Sequence, residues 1–416
     1  MTLQNDPPRH AEGAVDFGFD EVFFSRTDKR GVILAGNDVF QRISGHGWGD
    51  LLGAPHKIIR HPDTPRALFR ILWDALGNGY PMGGYVKNRA RNGDHYWVFA
   101  VILPMEGGYL SVRLKPSTPL FDKVQALYAD LCARERVEGL DPEASARMLW
   151  QAVTEAGFTS YTTFMASALG QELASRDLRM RRPVDPRTQR LIDLNVSLEQ
   201  VTQEQRKLLR SFESLQSIPN NMRLVASRLE PSGGPVSAIS ENYRASSLVI
   251  SERLRSFVTG RDNLCDRVSR QAARALFLLG ADRVLSEMIG SFRHAEAVAG
   301  IDWVAEGAGL ARLRAAGRED SRAALKSAVE HAEELTRSSS EIRRLMLGLD
   351  TIRVMGRVEC GRLRGNEGGL AATIDQLDLF HAEIKTRLET ILRLSEEIGS
   401  TMSRFSSSEF GAPAKG

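Results

Sequence analysis

The sequence predicts an α+β domain, a five-stranded antiparallel sheet with flanking helices, followed by an all-α region of long antiparallel helical hairpins. Two observations carry this reading. Aromatic residues crowd the first quarter of the chain, where 14 of the 29 Phe, Trp and Tyr fall between Phe17 and Tyr109 among short β-branched stretches. Beyond Lys115 those stretches cease, and apolar residues recur at helical spacing instead.

The stretches EVFFSRT, GVILAGN, GGYVKNRA, DHYWVFAVILP and GGYLSVRLK read as strands, separated by the turn signals DKRG, RNGD and MEGG. RNGD reads as a tight hairpin because Asn-Gly tolerates the positive φ such turns demand. DVFQRIS and RALFRILWDAL, between the early and late strands, read as short helices. One sheet with helices on one face follows.

From Phe121 to Leu178 the pattern is helical, broken near GLDPEAS, where Asp141-Pro142 makes a helix start. RMRRPVDPRTQR is a basic, proline-broken linker. A 4-3 stripe then begins with Leu198, Val201, a polar Gln205, Leu208, Phe212, Ile218 and Met222, and Pro219 should kink or divide its helix. PSGGP reverses the chain into a second stripe through Val236, Ile239, Tyr243, Ile250 and Leu254. The arrangement returns later: Leu345, Leu349, Ile352 and Met355 lead to RGNEGG, and Ile374, Leu377, Ile384, Leu388, Ile391, Ile398 and Met402 follow. A shift of 134 residues superimposes the two turns and brings Ile250 onto Ile384, Arg253 onto Arg387 and Leu254 onto Leu388. Two such hairpins can build within one chain a four-helix bundle that other proteins assemble from two. The expected divisions are a flexible cap over 1–18, a sensor domain over 19–117, a helical connector over 118–189, a hairpin bundle over 190–406 and a disordered tail over 407–416.

Composition narrows the function. The 416 residues carry a net charge of +3, too small an excess to argue for a nucleic-acid partner. Cys132, Cys265 and Cys360 lie far apart with no CxxC pair, which excludes a disulfide framework or thiolate metal site and fits a cytoplasmic, reducing compartment. No apolar run approaches the ~18–20 residues a membrane helix needs, and MTLQNDPPRH is no secretory signal. Walker A, GxSxG, HExxH and kinase signatures are absent, so no enzymatic activity is expected. SGHGWGDLLG follows a helix and opens no βαβ unit, so it is not a dinucleotide fingerprint.

The run FFSRTDKRGVILAGNDVFQRISGHGWGDLLGAPHKIIRHPDTPRALFRILWDAL, with VKNRARNGDHYWV after it, resembles the PAS domain of bacterial aerotaxis receptors over roughly residues 19–117. IIRHPDTP and KNRARNGDHYWV are its most specific pieces. The resemblance implies a five-stranded sheet walling a ligand pocket, and an FAD held noncovalently that reports redox state or oxygen. It also implies flavin-binding roles for Arg60, His61 and Asp63 of RHPD, for Trp73, and for Asn37 in AGNDVF. A guanidinium suits a pyrophosphate, an indole can stack on a flat ring, and His61 or Asp63 can feel a change of flavin protonation. Other readings of the same residues stay open. Trp73 shares an apolar helix face with Leu68, Phe69 and Leu72 and suits core packing, while Arg60 and Asp63 suit a pair that caps the helix beginning near Pro65. Tyr96 and Trp97 alternate sides of a strand, and Met82 stands where the family often has a tryptophan. His56 and His95 are the candidate axial ligands of an alternative haem-based oxygen sensor.

NNMRLVASRLEPSGGPVSAISENYR and TIRVMGRVECGRLRGNEGGLAATIDQL look like shortened, degenerate versions of the signalling hairpin of methyl-accepting chemotaxis receptors. The well-formed tip sequence is missing, and EHAEEL and LSEEIGS are only partial methylation sites. The expectation is a soluble redox or oxygen sensor in signal transduction. Its bundle, closed within one chain or across a homodimer, would signal to a protein partner such as the chemotaxis kinase or its coupling protein. A cofactor-free interaction scaffold is the alternative from a different class.

Overall fold

The computed structural model describes residues 13–215, 217–227, 234–258, 263–292, 301–362 and 370–410. Its helices and strands sort into two compact units. One comprises Met1–Asp193 and Ala273–Ala323; the other comprises Leu194–Ala272 and Ala324–Gly416.

The first unit is built on five strands: β1 (Phe23–Asp28), β2 (Ile33–Gly36), β3 (Met82–Arg89), β4 (His95–Met105) and β5 (Gly108–Leu114). They pair antiparallel in the order β2-β1-β5-β4-β3, each strand coinciding with an expected stretch and overrunning it by at most one residue. Between β2 and β3 lie α1 (Asp38–Ser44), α2 (Trp48–Leu51), a 3-10 turn (His56–Ile59) and α3 (Arg66–Gly77). The β3–β4 connection differs from the tightest hairpin in one respect. Gly93 alone takes a left-handed φ of 96°, and its N–H donates to the Ala90 carbonyl at 3.0 Å, so glycine rather than Asn92 turns the chain.

Pleating gives the sheet two faces. The register sets Ser25 opposite Ser111, Val86 opposite Val98 and Ala100 opposite Arg113, all on the inner face. That face packs with α1 into a core of Phe23, Ile33, Phe40, Ile43, Tyr96 and Val98. The outer face carries Phe24, Tyr85, Phe99, Val101 and Val112, all fully buried. Covering it are α4 (Pro119–Val137) and α6 (Tyr161–Arg179), together with the parts of α10 (Leu264–Phe292) and α11 (Trp303–Arg362) that belong to this unit, while α5 (Pro142–Glu155) packs on α3. Thr118 and Asp141 accept hydrogen bonds as N-caps of α4 and α5, each followed by proline, as the Asp-Pro signal indicates for α5.

The segment 273–323 belongs to the same compact unit as the sheet. Phe277 packs so close over β3 that a Cβ on Gly83 would stand 2.5 Å from its ring, which is why glycine occupies that position. Trp303 meets Phe24 edge-on at 6.4 Å, and Glu306 pairs with Arg26.

The second unit contains most of α7 (Pro186–Leu215), α8 (Ser217–Ser227), α9 (Gly234–Val258), the remainder of α10 and α11, and α12 (Leu370–Phe410). The stripe residues Leu198, Val201, Leu208, Phe212, Met222, Val236, Tyr243, Ile250, Ile384, Leu388, Ile398 and Met402 are all buried, as the 4-3 spacing requires. Pro219 lies in α8, and residue 216, between α7 and α8, is outside the described residues. Ser240 donates to the Pro219 carbonyl at 2.6 Å and ties α9 to α8. Tyr243 and His381 share a buried hydrogen bond of 2.6 Å between α9 and α12.

Met355 departs from the expected stripe. The seam passes from Leu349 to Gly356, where a Cβ would lie 3.6 Å from Ile239 and 3.7 Å from Ile374, and Met355 is left half exposed. A helix of 3.6 residues per turn drifts against a strict heptad, and the small glycine lets neighbouring helices close in. Both expected glycine turns lie largely outside the described residues. The helix α12 continues to Phe410, into the segment read from sequence as a tail; the rest of that segment also lies outside them. Among the described residues no helix is long and apolar enough to cross a membrane.

Candidate functional site

A cavity of about 150 Å³ opens between the inner face of the sheet and α3. Its walls are apolar, with Val86, Ala100 and Ile102 from the strands facing Phe69, Leu72 and Leu76 from α3. Alternation along β3, β4 and β5 aims these strand residues inward, and the 3–4 spacing on α3 aims its residues at the sheet. Trp73 and Tyr109 stand at the mouth, edge-on at 5.8 Å.

Polar side chains also line the cavity, among them Arg113, His56, Asn88 and Arg60. Arg113 on β5 is 2% exposed, held over the rings of Phe23 and Phe40, and no carboxylate lies within ion-pair distance of it among the described residues. Its Nη2 donates to Ser25 Oγ at 2.9 Å and to His56 Nε2 at 2.5 Å, while its buried Nη1 has no partner. Burial lowers the guanidinium to about 10. Burial, reinforced by the Arg113 charge, lowers His56 to about 3, so the imidazole is neutral and accepts at Nε2. Asn88 on β3 is likewise buried with its Nδ2 donor unpartnered. Arg60, whose main chain bridges to Asn88, lies over the Phe69 ring at 3.5 Å, and burial lowers its pKa.

Two of the five residues expected at a flavin site therefore come together here: Arg60 and Trp73. Trp73 is 45% exposed while Leu68, Leu72 and Leu76 are buried, so it is a mouth residue and not core packing. The other three are placed elsewhere. His61 is fully buried beneath the β3 edge, accepts from the Asp63 N–H at 3.0 Å and meets His95 edge-on. Asp63 pairs with Lys87 and Arg136 and lines a separate groove of about 400 Å³ with His95, Trp97, Tyr128 and Cys132. Burial raises the Asp63 carboxyl, but the Lys87 hydrogen bond and neighbouring cations outweigh it and hold it below the usual range. Neither Asp63 nor Arg60 caps α3, which begins after Pro65 without a side-chain cap. Asn37 is engaged locally: its Oδ1 accepts from Phe24 N–H and Phe40 N–H at 3.2 Å each, and its Nδ2 donates to the Val22 carbonyl at 3.0 Å. That amide is consumed in capping α1 and does not line the cavity. Arg113, Asn88 and His56 are the polar residues that sequence reasoning missed as a set. Reading β5 by alternate faces points an arginine inward, and that was the available signal for Arg113.

The sheet order, the helices between β2 and β3 and the cavity on the sheet's inner face define a PAS domain, and residues 33–110 match the family described as PAS fold. The chain is 43% identical to the aerotaxis receptor of Escherichia coli K12 over 119 residues, 27% of this chain and 24% of that protein. It is 30% identical to the nitrogen fixation regulatory protein of Klebsiella pneumoniae over 115 residues, 25% of this chain and 23% of that one. The chain thus spans about a quarter of the length of these curated relatives. Among solved structures, the light-state blue-light photoreceptor Aureochrome1 LOV aligns with a TM-score of 0.22 at 21% identity, covering 26% of this chain and 90% of that one.

Proposed function

We propose that the protein is a signalling sensor whose PAS cavity holds the isoalloxazine of FAD and relays its redox state, set by oxygen or cellular redox poise, to the helical region. One observation carries this: two buried N–H donors, Arg113 Nη1 and Asn88 Nδ2, are unpartnered in residues lining one apolar cavity. An unpaired buried donor costs about 1–3 kcal/mol, so two of them in one cavity call for a ligand that accepts hydrogen bonds. A flat, largely apolar ring with carbonyl and ring-nitrogen acceptors along one edge meets that need. Arg60, near the mouth, suits the negative charge of the diphosphate. Bound there, FAD would supply a reversible redox change that alters charge and hydrogen bonding at its ring edge.

The volume needs one concession from the protein. A cavity near 150 Å³ admits one benzene-sized ring. Trp73, half exposed and held by an edge contact, is the wall that yields for a tricyclic system. The same geometry disfavours haem. His56 Nε2 is taken up by Arg113, and His95 lines the groove on the other face of the sheet. Relatives named as an aerotaxis receptor and a nitrogen fixation regulatory protein support a sensory, non-enzymatic role, with chemotaxis kinase or coupling protein as candidate output partners in the cytoplasm.

The test is the absorption spectrum of the purified full chain before and after reconstitution with FAD. We expect a flavin spectrum, lost in Arg113→Leu and retained in Trp73→Ala, which removes the wall that has to yield. The Trp73 variant should lose less than about 1 kcal/mol of stability, because its ring is half exposed. A protein that stays colourless after reconstitution favours the scaffold, and a Soret band favours haem; either overturns the reading.

A further inference from the structure

The groove in which Asp63 stands is a second recess of the first unit, apart from the cavity on the sheet's inner face. Pleating turns Lys87, His95 and Trp97 to the outer face, and the register sets Lys87 directly opposite Trp97. Across from them α4 contributes Tyr128, Cys132 and Arg136, at four-residue steps that share one side of a helix. At about 400 Å³ the groove falls within the roughly 300–1,000 Å³ of pockets that hold small molecules.

Its lining carries a charge imbalance. Lys87 from β3 and Arg136 from α4 converge on the single carboxylate of Asp63. Cys132 adds no negative charge, because burial lifts its thiol to about 11. Two cations therefore face one anion, and one further negative charge balances them. Arg136 donates to Asp63 through Nη2 while its side chain is half exposed, and a guanidinium fork of five N–H donors can serve a second carboxylate.

The rings decide which anion fits. Trp97 and Tyr128 lie 6.1 Å apart, tilted by 36°. Such rings favour a flat aromatic body over a small hydrated ion. His95 in the same wall has a buried Nδ1 with no hydrogen-bond partner among the described residues, so the protein alone leaves this wall incomplete.

We infer that the groove is a second ligand site, for a small aromatic monocarboxylate whose carboxylate meets Arg136 and Lys87 and whose ring lies against Trp97. Asp63 competes for the same two cations and so sets the affinity. The site does not depend on what fills the inner cavity.

The experiment titrates the full chain with benzoate by calorimetry and tryptophan fluorescence, from roughly 10 µM to 10 mM, the range for a ligand of about nine non-hydrogen atoms. Acetate, benzamide and inorganic phosphate are run beside it. We expect saturable binding of benzoate, at least tenfold tighter than that of the other three. Arg136→Gln, a change at an exposed position, should weaken it at least tenfold, and Asp63→Asn should tighten it at least threefold. Trp97→Phe should keep the heat of binding but lose most of the fluorescence change, which places the ring. Arg113→Leu, in the inner cavity, should leave benzoate affinity unchanged while it removes flavin, so the two sites are told apart. No saturable binding, acetate, benzamide or phosphate bound as tightly as benzoate, or indifference to Arg136→Gln would each overturn the inference. Benzoate binding abolished by Arg113→Leu would place the ligand in the inner cavity and overturn it equally.

Discussion

At the residue scale, the buried pair of Arg113 and His56 sets a pH dependence of known sign. The imidazole titrates near 6.5 when the chain is unfolded and near 3 when folded, because burial and the adjacent guanidinium both oppose its charge. On acidification the unfolded state therefore binds this proton first. Stability is lost progressively from pH 6.5 down towards 3 and is fully present above 6.5. One proton of difference corresponds to a tenfold change in the unfolding equilibrium per pH unit. Replacing His56 by glutamine keeps an acceptor for Arg113 and removes the titration. We expect denaturant unfolding of the wild type to lose up to tenfold more per pH unit than His56→Gln between pH 6 and 4. Equal slopes would refute the placement of a neutral imidazole against Arg113. This scale also shows the limit of a sequence motif. RHPD locates a loop, and Arg60 does reach the cavity, but His61 and Asp63 turn to the β3 edge and its far side. Which way each side chain leaves a loop is set by partners distant in sequence, Lys87 and Arg136 for Asp63, and no local pattern records them.

Between elements, the sheet is tied to its helices through one carboxylate. Glu172 on α6 is 1% exposed and accepts from Tyr85 Oη at 2.9 Å, Thr118 Oγ1 at 2.7 Å and Ser117 N–H at 2.8 Å. Tyr85 sits on β3, where Val86 and Asn88 line the cavity, so one strand has the cavity on one face and the Glu172 contact on the other. Burial raises the carboxyl pKa despite these hydrogen bonds. Glu172→Ala leaves three donors unanswered and should cost roughly 2–4 kcal/mol, whereas Tyr85→Phe should cost about 1. Because the two act through one hydrogen bond, a double-mutant cycle in urea should return a coupling of about 1 kcal/mol. Strict additivity would show that the strand and α6 are not joined this way. The strands themselves were legible because alternation and turn residues are local signals. The Glu172 contact was not, since it joins positions 87 residues apart and Glu172 carries no mark in the α6 pattern.

For the whole molecule, the consequential feature is that 273–323 returns to the sheet. Heptad spacing announced long helices correctly, and the buried seams of α7, α9 and α12 follow it. It could not announce that part of α10 and α11 is assigned elsewhere, because Phe277 and Trp303 read as helix residues wherever those helices pack. A chain ending at residue 193 would uncover Gly83 and Phe24 by removing Phe277 and Trp303, and would leave Arg26 without Glu306. Stripping a large aromatic ring from a buried face costs on the order of 3–5 kcal/mol, comparable to the whole stability of a small domain. Residues 13–193 alone should therefore melt well below the full chain, or aggregate through the bared sheet face. Joining residues 273–323 to them by a flexible linker should restore cooperative unfolding, with no contribution from 194–272 or 324–416. Thermal denaturation of the two truncated chains beside the full protein makes the comparison. If 13–193 melts as the full chain does, the returning helices are dispensable to the sheet, and the division of labour lies at residue 190 after all.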